Sequence, residues 1–434
     1  MTVSLVHFDG SVDSVRRAIE LCDGFERLNR NDRVLIKPNY GFRHRGVPPF
    51  GTVTTSTILD AIVRLLREYG CQDISIGEGA IIGMLNVLDP YARHGFKGTG
   101  VDKIAKRYGA RLIDFNKGPF QEMELGGVSV QVSSAALETD FLVNIPVLKT
   151  HSQTKVTLGF KNLKGCLSQT SKQKFHTTNR LETQICLLNE AIKSDLVIID
   201  GIYMLEKGPD TLVGVAYRKD LIIAGRDVLE CDAVGATILG IDPQQVDHLA
   251  QYAERNDRSL DISTIQIKGE DIDTLKETLE WKPQIDEDVF SPQRVRGLSL
   301  AHPGKALCSG CYASFAAALL IFTKECPNVD FSGTEICSGP ELRPERDSKR
   351  TFLCGDCAVK RNKNLQNATR IEGCPPSLIA TLLAFMKALL SKPQMLRPTF
   401  VLVTKLAGIR LGLYTETYPK WERYRSKEFD KTHF

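Results

Sequence analysis

Short apolar runs alternate with amphipathic stretches through roughly the first 250 residues of the chain. VSLVHF, RVLIKPN, DISIGEG, RLIDF, FLVNIPVLK, DLVIIDGI and DLIIAGRD have the length and β-branched content of strands. SVDSVRRAIELC, STILDAIVRLLREYG, VDKIAKRYG, LETQICLLNEAI and VLECDAVGATILG repeat their apolar positions at helical spacing. Strands that are apolar along their whole length are covered on both faces, and strand–helix alternation makes neighbouring strands parallel. The pattern predicts an α/β domain over 1–283, its mostly parallel sheet covered by helices on both faces, with STIQIKGEDIDTLKETL as its last unit. Residues 284–299 read as a linker, and 300–391 as a smaller Cys-rich domain closed by the helix LIATLLAFMKALLS. The tail, 392–434, carries the apolar segment FVLVTKLAGIRLGLY and is expected to pack on the body.

Composition narrows the class. The 434 residues are 42% hydrophobic and 25% charged, with a net charge of only +4, so positive potential is local and a general nucleic-acid binder is not expected. The N-terminus lacks the basic-then-apolar pattern of a signal peptide, and no apolar run approaches the roughly 20 residues of a membrane span. A cytoplasmic protein with reduced thiols is the expectation.

Candidate chemistry sits where the strands end, which is where open α/β sheets bind ligands. RVLI runs into Lys37 and Asn39, DISIG into Glu78, FLVNIPVL into Lys149 and His151, LVII into Asp200, and LIIAG into Arg226 and Asp227. Read this way, five strands deliver polar residues to one end, although Asp227 also suits the N-cap of the following helix. The stretch from Asn144 to Cys166 continues with Lys155, Thr157, Lys161, Asn162 and Lys164 and contains no carboxylate. Four lysines, a histidine and two hydrogen-bonding side chains suit an anionic group, carboxylate or phosphate. Aromatic side chains are sparse here, so base stacking is not expected. GEGAIIG at 77–83 has GxGxxxG spacing and no dinucleotide fingerprint around it.

Seven of the twelve cysteines fall between 308 and 374. CSGC at 308–311 and CGDC at 354–357 are metal-binding pairs, but the 42 residues between them exceed zinc-ribbon spacing. Cys374 is followed by Pro375, a habit of iron–sulfur ligation. A [4Fe-4S] cluster on Cys308, Cys311, Cys357 and Cys374 is the expectation. Cys357 is preferred because it lies in a turn, whereas Cys354 ends an apolar run; Cys354 stays open as the fourth ligand. Cys326 and Cys337 read as bystanders.

KPN at 37–39, PVLKTH at 146–151, TLGFKNLKG at 157–165, IDGI at 199–202, GP at 208–209 and GRDVLECDAVG at 225–235, in this order, resemble the family called domain of unknown function 362. The CxGC start and GCPPS finish of the Cys-rich end resemble a branch of it whose members carry an iron–sulfur centre. In that branch a single cysteine follows a turn that aligns with Cys357. The repeats of a two-cluster ferredoxin module are absent.

These readings lead to an expected iron–sulfur oxidoreductase. The cluster passes electrons, received from a donor such as a ferredoxin, to a small anionic substrate bound by Lys37, Asn39, Lys149, Thr157, Lys161, Asn162 and Lys164. His151 is the first candidate acid, as an imidazolium, with Glu78 and Asp200 behind it. The alternatives are a dehydratase or isomerase using an open iron as Lewis acid, and a non-enzymatic, metal-stabilised binding protein.

Overall fold

The computed structural model describes residues 1–40, 48–79, 96, 99–177, 180–209, 211, 214–282, 295–301, 307–339, 343–345, 348–390 and 423–434. In chain order the strands of the large sheet are β1 (Thr2–His7), β2 (Arg33–Pro38), β3 (Asp73–Glu78) and β4 (Arg111–Asp114). After a separate hairpin, β5 (Phe120–Leu125) and β6 (Val128–Ser133), come β7 (Phe141–Ile145), β8 (Val147–His151) and β9 (Lys155–Val156). β10 (Leu196–Glu206), β11 (Val215–Gly225) and β12 (Gln266–Gly269) complete it. The order across the sheet is β12-β1-β11-β10-β7-β2-β3-β4, with β8 on β10 and β9 on β8.

Period-two alternation explains why these strands are apolar throughout. Val34, Ile36, Val143, Ile145 and Ile198 face one apolar layer with the helices Val12–Leu21 and Ser56–Tyr69. Leu35, Leu142, Val197 and Ile199 face the other, with the helices Leu181–Ala191 and Val228–Ile238. Helix ends follow the residues: Ser11, Thr55 and Asp227 cap by accepting backbone N–H bonds, and Gly70 closes its helix at φ 113°.

Three features differ from the sequence reading. FLVNIPVLK is two strands, because Pro146 cannot donate to a ladder; β7 pairs with β2 and the start of β10, and β8 pairs with β10 further along. The hairpin β5–β6, turned at Gly126 and Gly127 with φ 56° and 79°, was not expected from the pattern. β11 runs antiparallel to both β10 and β1, with Gly225 opposite Val197 and Val3. Arg226 and Asp227 therefore emerge at the opposite end of the sheet from Lys37, Glu78 and Asp200. Four strands, not five, serve the common end.

The Cys-rich unit has its own four-stranded parallel sheet, β13 (Leu298–Leu300), β14 (Thr334–Ser338), β15 (Arg350–Cys354) and β16 (Ala368–Ile371). β13 begins inside the stretch assigned to the linker, of which 284–294 lies outside the described residues. The helices Ser309–Glu325 and Leu378–Leu389 accompany this sheet, and Phe385 packs on Phe322 and Phe352. FVLVTKLAGIRLGLY lies outside the described residues. Residues 423–434 sit on the body: Asp430 N donates to the Tyr203 hydroxyl at 2.9 Å, and Phe429 stacks on the Tyr203 ring. Among the described residues, no helix is long and apolar enough to cross a membrane.

Candidate active site

The carboxyl ends of β2 and β3 are joined by a buried ion pair. Lys37 Nζ lies 2.9 Å from Glu78 and donates to the Pro38 carbonyl at 2.7 Å. Glu78 also accepts from the backbone N–H groups of Tyr40 and Gly79, each at 2.8 Å. Asn162 donates to the Lys37 carbonyl at 3.1 Å and to Asn144 Oδ1 at 2.8 Å. Gly165 closes this network from above, since a Cβ there would stand 2.6 Å from both Glu78 Oε1 and Lys37 Cε. Lys37, Glu78 and Asn162 thus satisfy one another.

Asp200 is likewise consumed by structure. Its Oδ2 accepts from Thr55 N and Thr55 Oγ1, at 2.7 and 2.8 Å, and its Oδ1 from Ile202 N at 3.1 Å. It holds the start of the helix Ser56–Tyr69. The Asn39 backbone pairs with Thr54, and Thr157 N donates to the Lys149 carbonyl at 3.3 Å.

Beyond β8 the side chains are cationic. Lys149 is buried and donates to the carbonyls of Thr52 and Pro209, at 2.6 and 3.1 Å. His151 Nδ1 accepts backbone N–H bonds from Gln153 and Thr154, at 3.0 and 3.3 Å, and its Nε2 meets Lys161 Nζ. Burial, then Lys161 and Lys149, push the imidazole well below its ordinary range, which disfavours its charged form. The imidazolium expected from the sequence is thus the costly form in a buried site already rich in lysine.

The helix Gln169–Thr177 adds residues that sequence reasoning missed. Lys172 Nζ lies against Gly79, and burial lowers its ammonium to about 8. His176, one turn on, meets Lys164 Nζ through Nε2 and approaches Cys308 Sγ through Nδ1 at 3.8 Å. Burial, then Lys172, lowers Lys164 to about 7. The signal was available: Lys172 and His176 are four apart, hence on one helical face. What the sequence does not show is which face meets the second domain.

That meeting is the central geometry. Gln153 Oε1 accepts from Ser309 N at 3.3 Å, and Gln173 Nε2 donates to the Cys374 carbonyl at 3.5 Å. Cys308 precedes and Cys311 lies in the first turn of the helix Ser309–Glu325, and the two thiols share a hydrogen bond that lowers Cys308 and raises Cys311. Cys357 lies in the first turn of the helix Asp356–Arg361. Asp356 Oδ1 accepts from Gly373 N at 2.7 Å, which ties the Cys357 turn to the Cys374 loop. Burial and then Cys308 raise Cys357; burial raises Cys374 to about 11, with Cys308 and Cys357 adding to it. Cys354 is raised by burial and by Cys337, within the sheet. Cys308, Cys357 and Cys374 keep part of their surface accessible, as do Lys161, Lys164 and Gln153. The basic stretch and the cysteine segments therefore face each other across this joint.

Among the described residues, no three His, Cys, Asp or Glu side chains are placed to hold a single metal ion. A four-iron cube takes one thiolate on each iron. Four cysteines from three neighbouring segments, facing lysines that offset anionic charge, fit that donor set in kind.

Residues 34–237 match the family Domain of unknown function (DUF362). The thylakoid-associated protein sll1697 of Synechocystis sp. is 28% identical over 243 residues, 55% of this chain and 72% of that protein. The lactate racemase apoprotein from Thermoanaerobacterium thermosaccharolyticum superposes with a TM-score of 0.38 at 11% identity, covering 89% of this chain and 81% of that one.

Proposed function

On the premise that residues 34–237 of the chain belong to this family of unknown function, we propose that the protein is an iron–sulfur oxidoreductase acting on a small anionic organic molecule. Cys308, Cys311, Cys357 and Cys374 would hold a [4Fe-4S] cluster. Bound there, the cluster supplies one-electron transfer. The observation that carries the reading is the apposition of the two halves: Lys164 meets His176, and His176 approaches Cys308.

The residues of the crevice then divide the work. Lys149, Lys164 and Lys172 set a positive potential, offset at Lys172 by Glu78, and an anion entering the crevice would restore the charges that burial disfavours. Lys37 is neutralised by Glu78 and, with Asn162, shapes the floor. Gln153 and Gln173 hold the cysteine segments against that floor. Four thiols satisfy all four corners of a cube, which favours electron transfer over an open Lewis-acid iron. A ferredoxin-like donor is the class of partner such a site uses.

Anaerobic purification tests the proposal. Brown protein with about four iron per chain, bleached by dithionite, is the expected result. Stoichiometric zinc with no reducible chromophore would overturn it.

A further inference from the structure

We propose that Lys161 is the group that takes the substrate's carbonyl, so that the crevice accepts a small anionic aldehyde, ketone or 2-oxo acid and holds it as an imine. This rests on the crevice being a substrate site, but needs neither iron nor electron transfer.

His151 Nδ1 accepts two backbone N–H bonds, from Gln153 and Thr154. Its lone pair is therefore in use, and a neutral imidazole must carry its single proton on Nε2. That Nε2–H points at Lys161 Nζ. An ammonium has three donors and no acceptor, so it would set hydrogen against hydrogen; only an amine with a lone pair completes the bond. The opposite tautomer would drive Nδ1–H into two backbone N–H groups. The geometry selects a neutral Lys161.

The surroundings agree. From β8 the group is faced by Lys149 and His151, from its own segment by Lys164, from the helix Leu181–Ala191 by Glu182, and from the second unit by Cys308. Burial and the two lysines disfavour its charge; Glu182 and Cys308 oppose them without forming a pair with it. Lys161 remains partly accessible. A desolvated amine beside other cations is the arrangement that makes lysine a nucleophile at neutral pH.

The chemistry balances without a further reagent. Nitrogen bonds to the carbonyl carbon as the C=O electron pair moves to oxygen; the amine's two protons leave with that oxygen as water. The product is the imine, with Lys164 near enough to attract the substrate's anionic group.

Trapping tests it. The wild-type protein is incubated with glyoxylate and cyanoborohydride, and adducts are mapped by peptide mass spectrometry. An ordinary lysine, with pKa near 10.4, is almost wholly protonated at pH 7, and its labelling rises about tenfold per pH unit. Lys161 is expected to label at least about tenfold faster than exposed Lys193 at pH 7, with a shallower rise as pH increases. Lys161→Arg should abolish that adduct and keep the iron content. Labelling no faster than Lys193, or a rise with pH parallel to it, would overturn the inference. Failure here with four iron bound leaves the redox reading standing; trapping in a protein that binds zinc does the reverse.

Discussion

Lys37 and Glu78 meet at 2.9 Å inside the protein, and Gly165, 87 positions after Glu78, leaves the space in which they do so. Three sequence motifs, KPN, the end of DISIGE and GFKNLKG, are thereby one structural unit.

Breaking that unit should be expensive. Removing one partner of a buried pair costs about 3–5 kcal/mol, because the other charge stays buried and unpaired. Lys37→Met and Glu78→Leu should each lower the unfolding midpoint strongly, and the double variant should recover a large part. Gly165→Ala should cost about 1–3 kcal/mol through overpacking. Chemical denaturation of the four variants measures this; additive losses in the double variant would contradict it.

Asp200→Asn separates capping from catalysis. The carboxylate serves Thr55 and Ile202 alone among its described contacts. Loss of a buried helix-start acceptor costs about 1–2 kcal/mol. Stability should fall by that order while iron content and Lys161 labelling stay at wild-type values.

Asp232 gives a pH signature. It accepts N–H bonds from Gly159 and Phe160 at 2.7 and 2.8 Å, yet burial raises its carboxyl to about 7. A carboxyl with a raised folded pKa holds its proton more tightly when folded. Its contribution is full below about pH 4, the unfolded value, and is lost as pH rises through about 7. Wild-type stability should therefore decline across that window more steeply than that of Asp232→Asn, by urea titration at successive pH values. Parallel profiles would refute it.

The two candidate fourth ligands are distinguishable. Cys357 lies within electrostatic reach of Cys308 and Cys374, whereas Cys354 is buried beside Cys337 and reaches Cys311 alone of the four. Cys357→Ala and Cys374→Ala should lose most iron; Cys354→Ala and Cys326→Ala should retain it. The reverse ranking would reassign the ligand.

Anion binding is read by calorimetry with oxalate as the probe. A charge-assisted hydrogen bond is worth roughly 1.5–3 kcal/mol, so Lys164→Ala should weaken binding by about tenfold to a hundredfold. Exposed Lys193→Ala should not change it. Equal affinities in all three proteins would make the basic stretch a structural feature only.

The elements of the first domain were legible because each strand must bury two faces and each helix one, which writes their periods into the sequence. Direction is not written there: nothing in LIIAGRD says that β11 runs against β10, and so Arg226 was assigned to the wrong end. Polar residues at strand ends announced themselves, but not their partners. Lys37 finds Glu78 41 positions on, and Asp200 finds Thr55 145 positions back. The run of lysines without carboxylates was visible as an imbalance. Its counterpart, Cys308, lies 132 positions beyond His176, and only the packing of two sheets brings them together.

Beside the approach of His176 to Cys308, two contacts across that joint are hydrogen bonds of amides, Gln153 to Ser309 and Gln173 to Cys374. Dissolved salt weakens attraction between exposed charges over a Debye length of about 10 Å at 0.1 M, but it has little purchase on neutral hydrogen bonds. Rising ionic strength therefore screens the lysines of the crevice, and with them any anion they attract, while leaving the distance between the two halves unchanged. Salt becomes a way to vary occupancy at fixed architecture.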